Sequence, residues 1–119
     1  MNETDIMRLC LIGLYKQYPN GLWYRRNTGA LKTDSGFVRF GLPGMADIGG
    51  ILHSIAWEIE IKSAKGKQSD EQKNWQQAVE RAGGIYILTR SVENCLEQIS
   101  LHIKRLTGHA PIPATRPDA

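Results

Sequence analysis

Apolar residues recur along this chain with two different periods, and the switches between them mark out its elements. From residue 3 to 18 the period is helical: Glu3, Met7, Cys10 and Leu14 fall at i, i+4, i+7 and i+11, on one face. Asn2 can cap that helix, and Glu3 and Asp5 suit the positive end of its dipole. Pro19-Asn20-Gly21 is a turn. Leu22 to Arg26 and Phe37 to Phe40 then read as two strands, joined by a polar stretch around Thr33-Asp34-Ser35-Gly36. Gly41-Leu42-Pro43-Gly44 is a loop whose glycines permit a tight turn or the close approach of a phosphate backbone. Ile48 to Ile51 reads as a short strand paired with Ala56 to Lys62 across a turn near His53-Ser54.

The helical period returns over residues 69 to 82. Ser69 is its cap and Gln72 completes a capping box; Trp75, Ala78, Val79 and Ala82 give the apolar face, and Gly83 ends it. Gly84-Ile85-Tyr86-Ile87-Leu88-Thr89 is a continuous apolar run, which predicts a strand buried on both faces. Ser91 caps a last helix with Leu96, Ile99, Ile103 and Leu106 on one face. Residues 1–106 thus form one domain. Residues 107–119, with Pro111, Pro113 and Pro117, read as an extended or disordered tail. The order helix, three or four strands, helix, strand, helix predicts an α/β sandwich.

The 119 residues suit a single core, and 41% apolar with 23% charged residues is ordinary for a globular protein. No apolar run reaches the ~20 residues of a membrane span, and the acidic start Met1-Asn2-Glu3-Thr4-Asp5 lacks the basic region of a signal peptide. Cys10 and Cys95, far apart in sequence, read as reduced core thiols of a cytoplasmic protein. The net charge of +3 is too mild to imply nucleic acid by itself, but its distribution says more. Arg25, Arg26, Lys32 and Arg39 surround the single acidic residue Asp34, and Lys62, Lys65 and Lys67 cluster further on. Basic patches flanking an acidic pocket suit a polyanion that must approach carboxylates; taken singly, each is equally a solvated surface charge.

The acidic pocket is read from Trp57-Glu58-Ile59-Glu60-Ile61-Lys62. With a period of two, Trp57, Ile59 and Ile61 face one side, and Glu58, Glu60 and Lys62 the other. If Asp47 lies on a neighbouring segment, its carboxylate and that of Glu60 can share a hard cation such as Mg²⁺. Such a cation polarises a phosphate and activates water, and Lys62 can orient that water or neutralise developing charge. On the tripeptide Glu60-Ile61-Lys62 alone, a half-solvated strand with alternating ion pairs is the stronger reading.

The surroundings change that balance. Arg26-Asn27-Thr28-Gly29-Ala30 and Val38-Arg39-Phe40-Gly41-Leu42-Pro43-Gly44-Met45-Ala46-Asp47-Ile48-Gly49-Gly50 precede the Glu-x-Lys; Gly66-Lys67-Gln68-Ser69-Asp70-Glu71-Gln72 and Ala82-Gly83-Gly84 follow it. In that order and spacing, over roughly residues 3 to 93, the chain resembles the VRR-NUC family of the PD-(D/E)XK nuclease superfamily, in its stand-alone phage or bacterial form. Ala46 stands where the superfamily often has proline before the acidic position. The resemblance implies a restriction-endonuclease-like core, with a central mixed sheet flanked by helices. It implies a Mg²⁺- or Mn²⁺-dependent endodeoxyribonuclease similar to Holliday-junction resolvases, acting on branched DNA as a homodimer. Its metal ligands would be Asp47, Glu60 and the carbonyl of Ile61, with Glu3 reaching the metal through water. Lys62 and Gln72 would complete the catalytic set. Glu3 is otherwise a dipole-stabilising surface residue, and Glu58 is the alternative ligand if the strand register differs.

Other motifs weigh little. Gly84-Ile85-Tyr86 opens like the GIY-YIG nucleases, but no Tyr-Ile-Gly follows. His53, His102 and His109 lack metal-ligand spacing, and Trp23, Trp57 and Trp75 read as core rather than as base-stacking platforms. The rival functional class is a non-catalytic DNA-binding module with a nuclease-like fold. The complete Asp, Glu and Lys set argues against it.

Overall fold

In the computed structural model of the protein, residues 1–26 and 29–108 are described, except for the side chains of residues 29–33 and 37–40. Nine elements follow in order among them: α1 (Glu3–Gln17), β1 (Leu22–Arg25), β2 (Gly29–Thr33), β3 (Gly36–Phe40), β4 (Ile48–Leu52), β5 (Ile55–Ile61), α2 (Asp70–Arg81), β6 (Ile85–Thr89) and α3 (Val92–Thr107). The fold is α/β, a four-stranded mixed sheet flanked by three helices. Its strand order is β1-β4-β5-β6. The first three strands are antiparallel, and β6 runs parallel to β5 because α2 carries the chain back across the sheet. No helix among the described residues is long and apolar enough to cross a membrane.

The alternation of β5 sorts its side chains as expected. Trp57, Ile59 and Ile61 enter the core with Ile6, Met7, Cys10 and Leu14 of α1 and Cys95, Ile99 and Ile103 of α3. Burying such side chains stabilises by about 1.5–3 kcal/mol each. Trp23 and Trp57 lie edge to face at 6.5 Å, and His102 lies edge-on to Trp57 at 6.1 Å, so His102 packs. Cys10 and Cys95 meet between α1 and α3 as free thiols; the hydrogen bond with Cys10, and burial, hold the Cys95 thiol protonated.

Several expectations need correction. The stretch between Leu22–Arg25 and Gly36–Phe40, expected as a polar connection, contains a further strand. The partner of β3 is β2, and these two make a separate two-stranded sheet. β2 was hidden because Gly29, Ala30 and Lys32 carry little β-propensity. None of the α2 residues is fully buried: Trp75, Ala78 and Val79 are half-buried, and Ala82 is the exposed C-cap. The covered stripe of α3 is Cys95, Ile99 and Ile103, whereas Leu106 is 55% exposed. The last helix reaches Thr107, one residue into the expected tail, and Gly108 caps it in the left-handed conformation. His109, the remaining tail residues, Asn27 and Thr28 lie outside the described residues, as do the side chains of Lys32 and Arg39.

Candidate functional site

At the C-terminal end of β5, between the first turns of α1 and α2, lies a cavity of about 360 Å³. Glu3, Thr4 and Met7 line it from α1, Arg25 and Arg26 from the end of β1, and Asp47 from the residue before β4. Glu60, Ile61 and Lys62 enter from β5, and Gln72 from α2. All five proposed catalytic and metal-binding side chains, Glu3, Asp47, Glu60, Lys62 and Gln72, therefore meet in one place.

Local sequence explains how Asp47 gets there. Gly44 has a φ of 80°, and a Cβ there would strike the backbone of Glu71 and Gln72. The loop can therefore press against the first turn of α2 before entering β4. Asp47 is then held twice. Its carboxylate Oδ2 accepts the Ile61 N–H at 2.8 Å, and its carbonyl accepts the Arg26 N–H at 2.7 Å. The register pairs Ile48 with Ile59, so the Asp47 side chain extends the β4–β5 ladder past its last backbone pair.

Glu60 is 2% exposed, and its Oε2 is buried without a hydrogen-bond partner. Burial pushes its carboxyl up to about 9. The hydrogen bond to Asp47 and the Asp47 charge add to that shift, Glu3 adds a little, and Lys62 opposes it. Two carboxylates side by side have no donor between them unless one is protonated. A proton on Glu60, or a cation between the two, removes the repulsion.

The donor set fits a hard cation. Among the described residues, no group of three or more His, Cys, Asp or Glu side chains is placed to hold a metal ion. Mg²⁺ does not require one: it binds through one or two carboxylates and completes its shell with water and substrate phosphate. Asp47 and Glu60 offer two carboxylates of that kind in one cavity. Glu3 stays at the exposed rim and acts on Glu60 through its charge. Lys62 is half-buried in the cavity wall, and its N–H donates to the Thr89 carbonyl at 2.9 Å, which continues the β5–β6 ladder. Gln72 is both a capping-box and a cavity residue. Its Oε1 accepts the Ser69 N–H at 2.8 Å in the capping box, and the side chain also lines the cavity.

Arg26, expected to contact phosphate, pairs instead with Glu58. Glu58 lies on the same strand face as Glu60, but both of its oxygens are taken. Arg26 grips it with two nitrogens at 2.5 and 2.6 Å, and the Trp75 indole N–H donates to Oε1 at 2.6 Å. The two ion-pair side chains are only 13% and 6% exposed. Burial alone would lower the Arg26 pKa; the Glu58 carboxylate outweighs that and holds it above its usual value. Both Glu58 oxygens and the Arg26 guanidinium are thus engaged within the protein.

Of the other basic candidates, Arg25 is exposed on the cavity wall, and Lys65 and Lys67 are exposed on the loop after β5. Arg90, which sequence reasoning passed over, anchors that loop by donating to the carbonyls of Ser63 and Gly66. Trp75 was also misjudged as core. Its place three residues after Gln72, on the same helical face, was the available signal.

Compared with models of protein families the chain matches none, and it matches no curated protein.

Proposed function

We propose that this chain is a Mg²⁺- or Mn²⁺-dependent endodeoxyribonuclease of the VRR-NUC type, built on a restriction-endonuclease-like core and acting on branched DNA as a resolvase-like homodimer. The observation that carries the reading is the meeting of Asp47 and Glu60, with its buried and unpartnered Oε2, in a cavity shared with Lys62 and Gln72. The mixed sheet, with the site at the end of the strand that bears Glu-x-Lys, also supports it.

Asp47 and Glu60 would hold the cation, with the Ile61 carbonyl as a further oxygen. A bound divalent ion supplies phosphate polarisation and a more acidic water. Everything else falls to the chain. The Ile61 N–H fixes the rotamer of Asp47, so one carboxylate oxygen stays directed along the ladder. Glu60 gives up its proton when a cation takes its place. Lys62 orients the attacking water or neutralises charge on the phosphate, and Gln72 supports that water. Arg25, Lys65 and Lys67 attract the DNA backbone. A two-fold dimer would set two such sites on two strands of a junction. Exposed apolar side chains for its interface stand on the sheet at Leu22, Tyr24 and Ile51, and on α3 at Leu101 and Leu106. Reduced thiols suit a cytoplasmic setting.

The test is cleavage of linear, nicked, flapped and four-way DNA with Mg²⁺ or Mn²⁺, by wild type and Lys62→Ala, with light scattering on the same samples. The expected result is metal-dependent cutting of the junction by a dimer, and loss of cutting in Lys62→Ala with fold and DNA binding retained. Binding without cleavage under all conditions would favour the non-catalytic module. A monomer that nicks or cuts flaps would remove the resolvase part.

A further inference from the structure

The Glu58 carboxylate joins three segments that carry the site. It lies on β5, two residues before Glu60. Arg26 clasps it from the end of β1, and the Arg26 backbone N–H in turn holds the Asp47 carbonyl at 2.7 Å. The Arg26 side chain also reaches the Ala46 carbonyl at 3.4 Å. Trp75 donates to the same carboxylate from α2, the helix that brings Gln72 to the cavity. α2 needs such a tie, because none of its side chains is fully buried. Gly49 makes the clasp possible: it pairs with Glu58 across the ladder, and a Cβ there would meet an Arg26 guanidinium nitrogen at 2.5 Å.

We infer that Glu58 is a positioning residue: through Arg26 it fixes Asp47, and through Trp75 it fixes Gln72, without itself touching metal or phosphate. The inference rests on the proposed site reading for its purpose, but its geometry is independent of activity. A buried carboxylate with three charge-assisted bonds is rigid. Partners of this outer kind typically change metal affinity or activity by ~10–100-fold when removed.

Amide hydrogen exchange and Mn²⁺ titration of the full chain test it. Glu58→Gln should lower protection of the Arg26 and Ile61 amides, the two that hold Asp47, by about tenfold or more, while core amides such as Ile59 and Ile87 keep theirs. Trp75→Phe should loosen α2 and leave the Arg26 and Ile61 amides as in wild type. Mn²⁺ affinity should fall in Glu58→Gln but persist, whereas Asp47→Ala should abolish it. Unchanged protection at Arg26 and Ile61 in Glu58→Gln overturns the inference, as does a uniform loss across the core. Loss of Mn²⁺ binding as complete as in Asp47→Ala overturns it in favour of direct ligation. If Glu58→Gln does not fold, Arg26→Lys should weaken protection at the same two amides, and unchanged values there overturn the inference. A wild type that binds no Mn²⁺ defeats the site reading, and the exchange pattern still decides whether Glu58 positions Asp47.

Discussion

Glu58 and Glu60 are chemically identical, two residues apart on one strand face, and meet opposite fates. Glu58 receives a guanidinium and an indole; Glu60 receives a second carboxylate and an oxygen with no partner. A buried charge is tolerated when paired and hydrogen-bonded, a condition that Glu58 meets and Glu60 does not. The consequence is measurable. With Glu60 raised to about 9 by burial and by Asp47, the folded protein binds a proton that the unfolded chain releases at the ordinary glutamate value of 4.5. The stabilisation is fully present below the unfolded value and is lost as pH rises towards the folded one. In chelator, melting temperature should therefore fall between pH 5 and pH 9 by more in wild type than in Glu60→Gln, where that part of the slope vanishes. Parallel curves for the two proteins would contradict the burial of an unpaired Glu60. The period of two places both glutamates correctly. It cannot say which is paired, because Arg26 reaches Glu58 from 32 residues away.

Elements with one strong local signal were legible. The capping box of α2, the Ser91 cap of α3 and the alternation of β5 are each fixed within a few residues, and the structure reproduces them. The β4–β5 hairpin was also readable, although its turn chemistry is poor. His53 and Ser54 both hold positive φ, 55° and 62°, as a type I′ turn demands, and neither is the favoured Asn or Gly. Replacing the pair by Asn-Gly should stabilise the protein by roughly 0.5–2 kcal/mol, or about 2–12 °C, in thermal denaturation. An unchanged or lowered midpoint would mean that these residues make contacts which offset the strain. What was not legible lacked a local signal. β2 has weak strand propensity and finds its partner only through β3. The apolar residues of α2 suggested a buried face, but its seat on the sheet depends on the Trp75 indole donating to Glu58.

For the whole molecule, the division of labour runs across the sheet. One face carries the core beneath α1 and α3. The other carries α2, and at the end of β5, where α1 and α2 both reach it, a polar cavity is assembled from residues as distant in sequence as Glu3, Asp47, Glu60 and Gln72. Asp47, Glu60, Lys62 and Gln72 were singled out from ordered motifs, whereas Thr4 and Met7 in the cavity wall and the pairing of Arg26 with Glu58 beside it were not. The account stands on one claim: the Asp47–Glu60 pair is a cation site. Calorimetric titration with Mn²⁺ at neutral pH tests it most directly, comparing wild type with Asp47→Ala and Glu60→Gln after each variant is shown to melt cooperatively. Saturable binding by wild type, with proton release as Glu60 yields its proton, and none by either variant is the result predicted. Equal Mn²⁺ binding by all three proteins, or none by wild type, would contradict it.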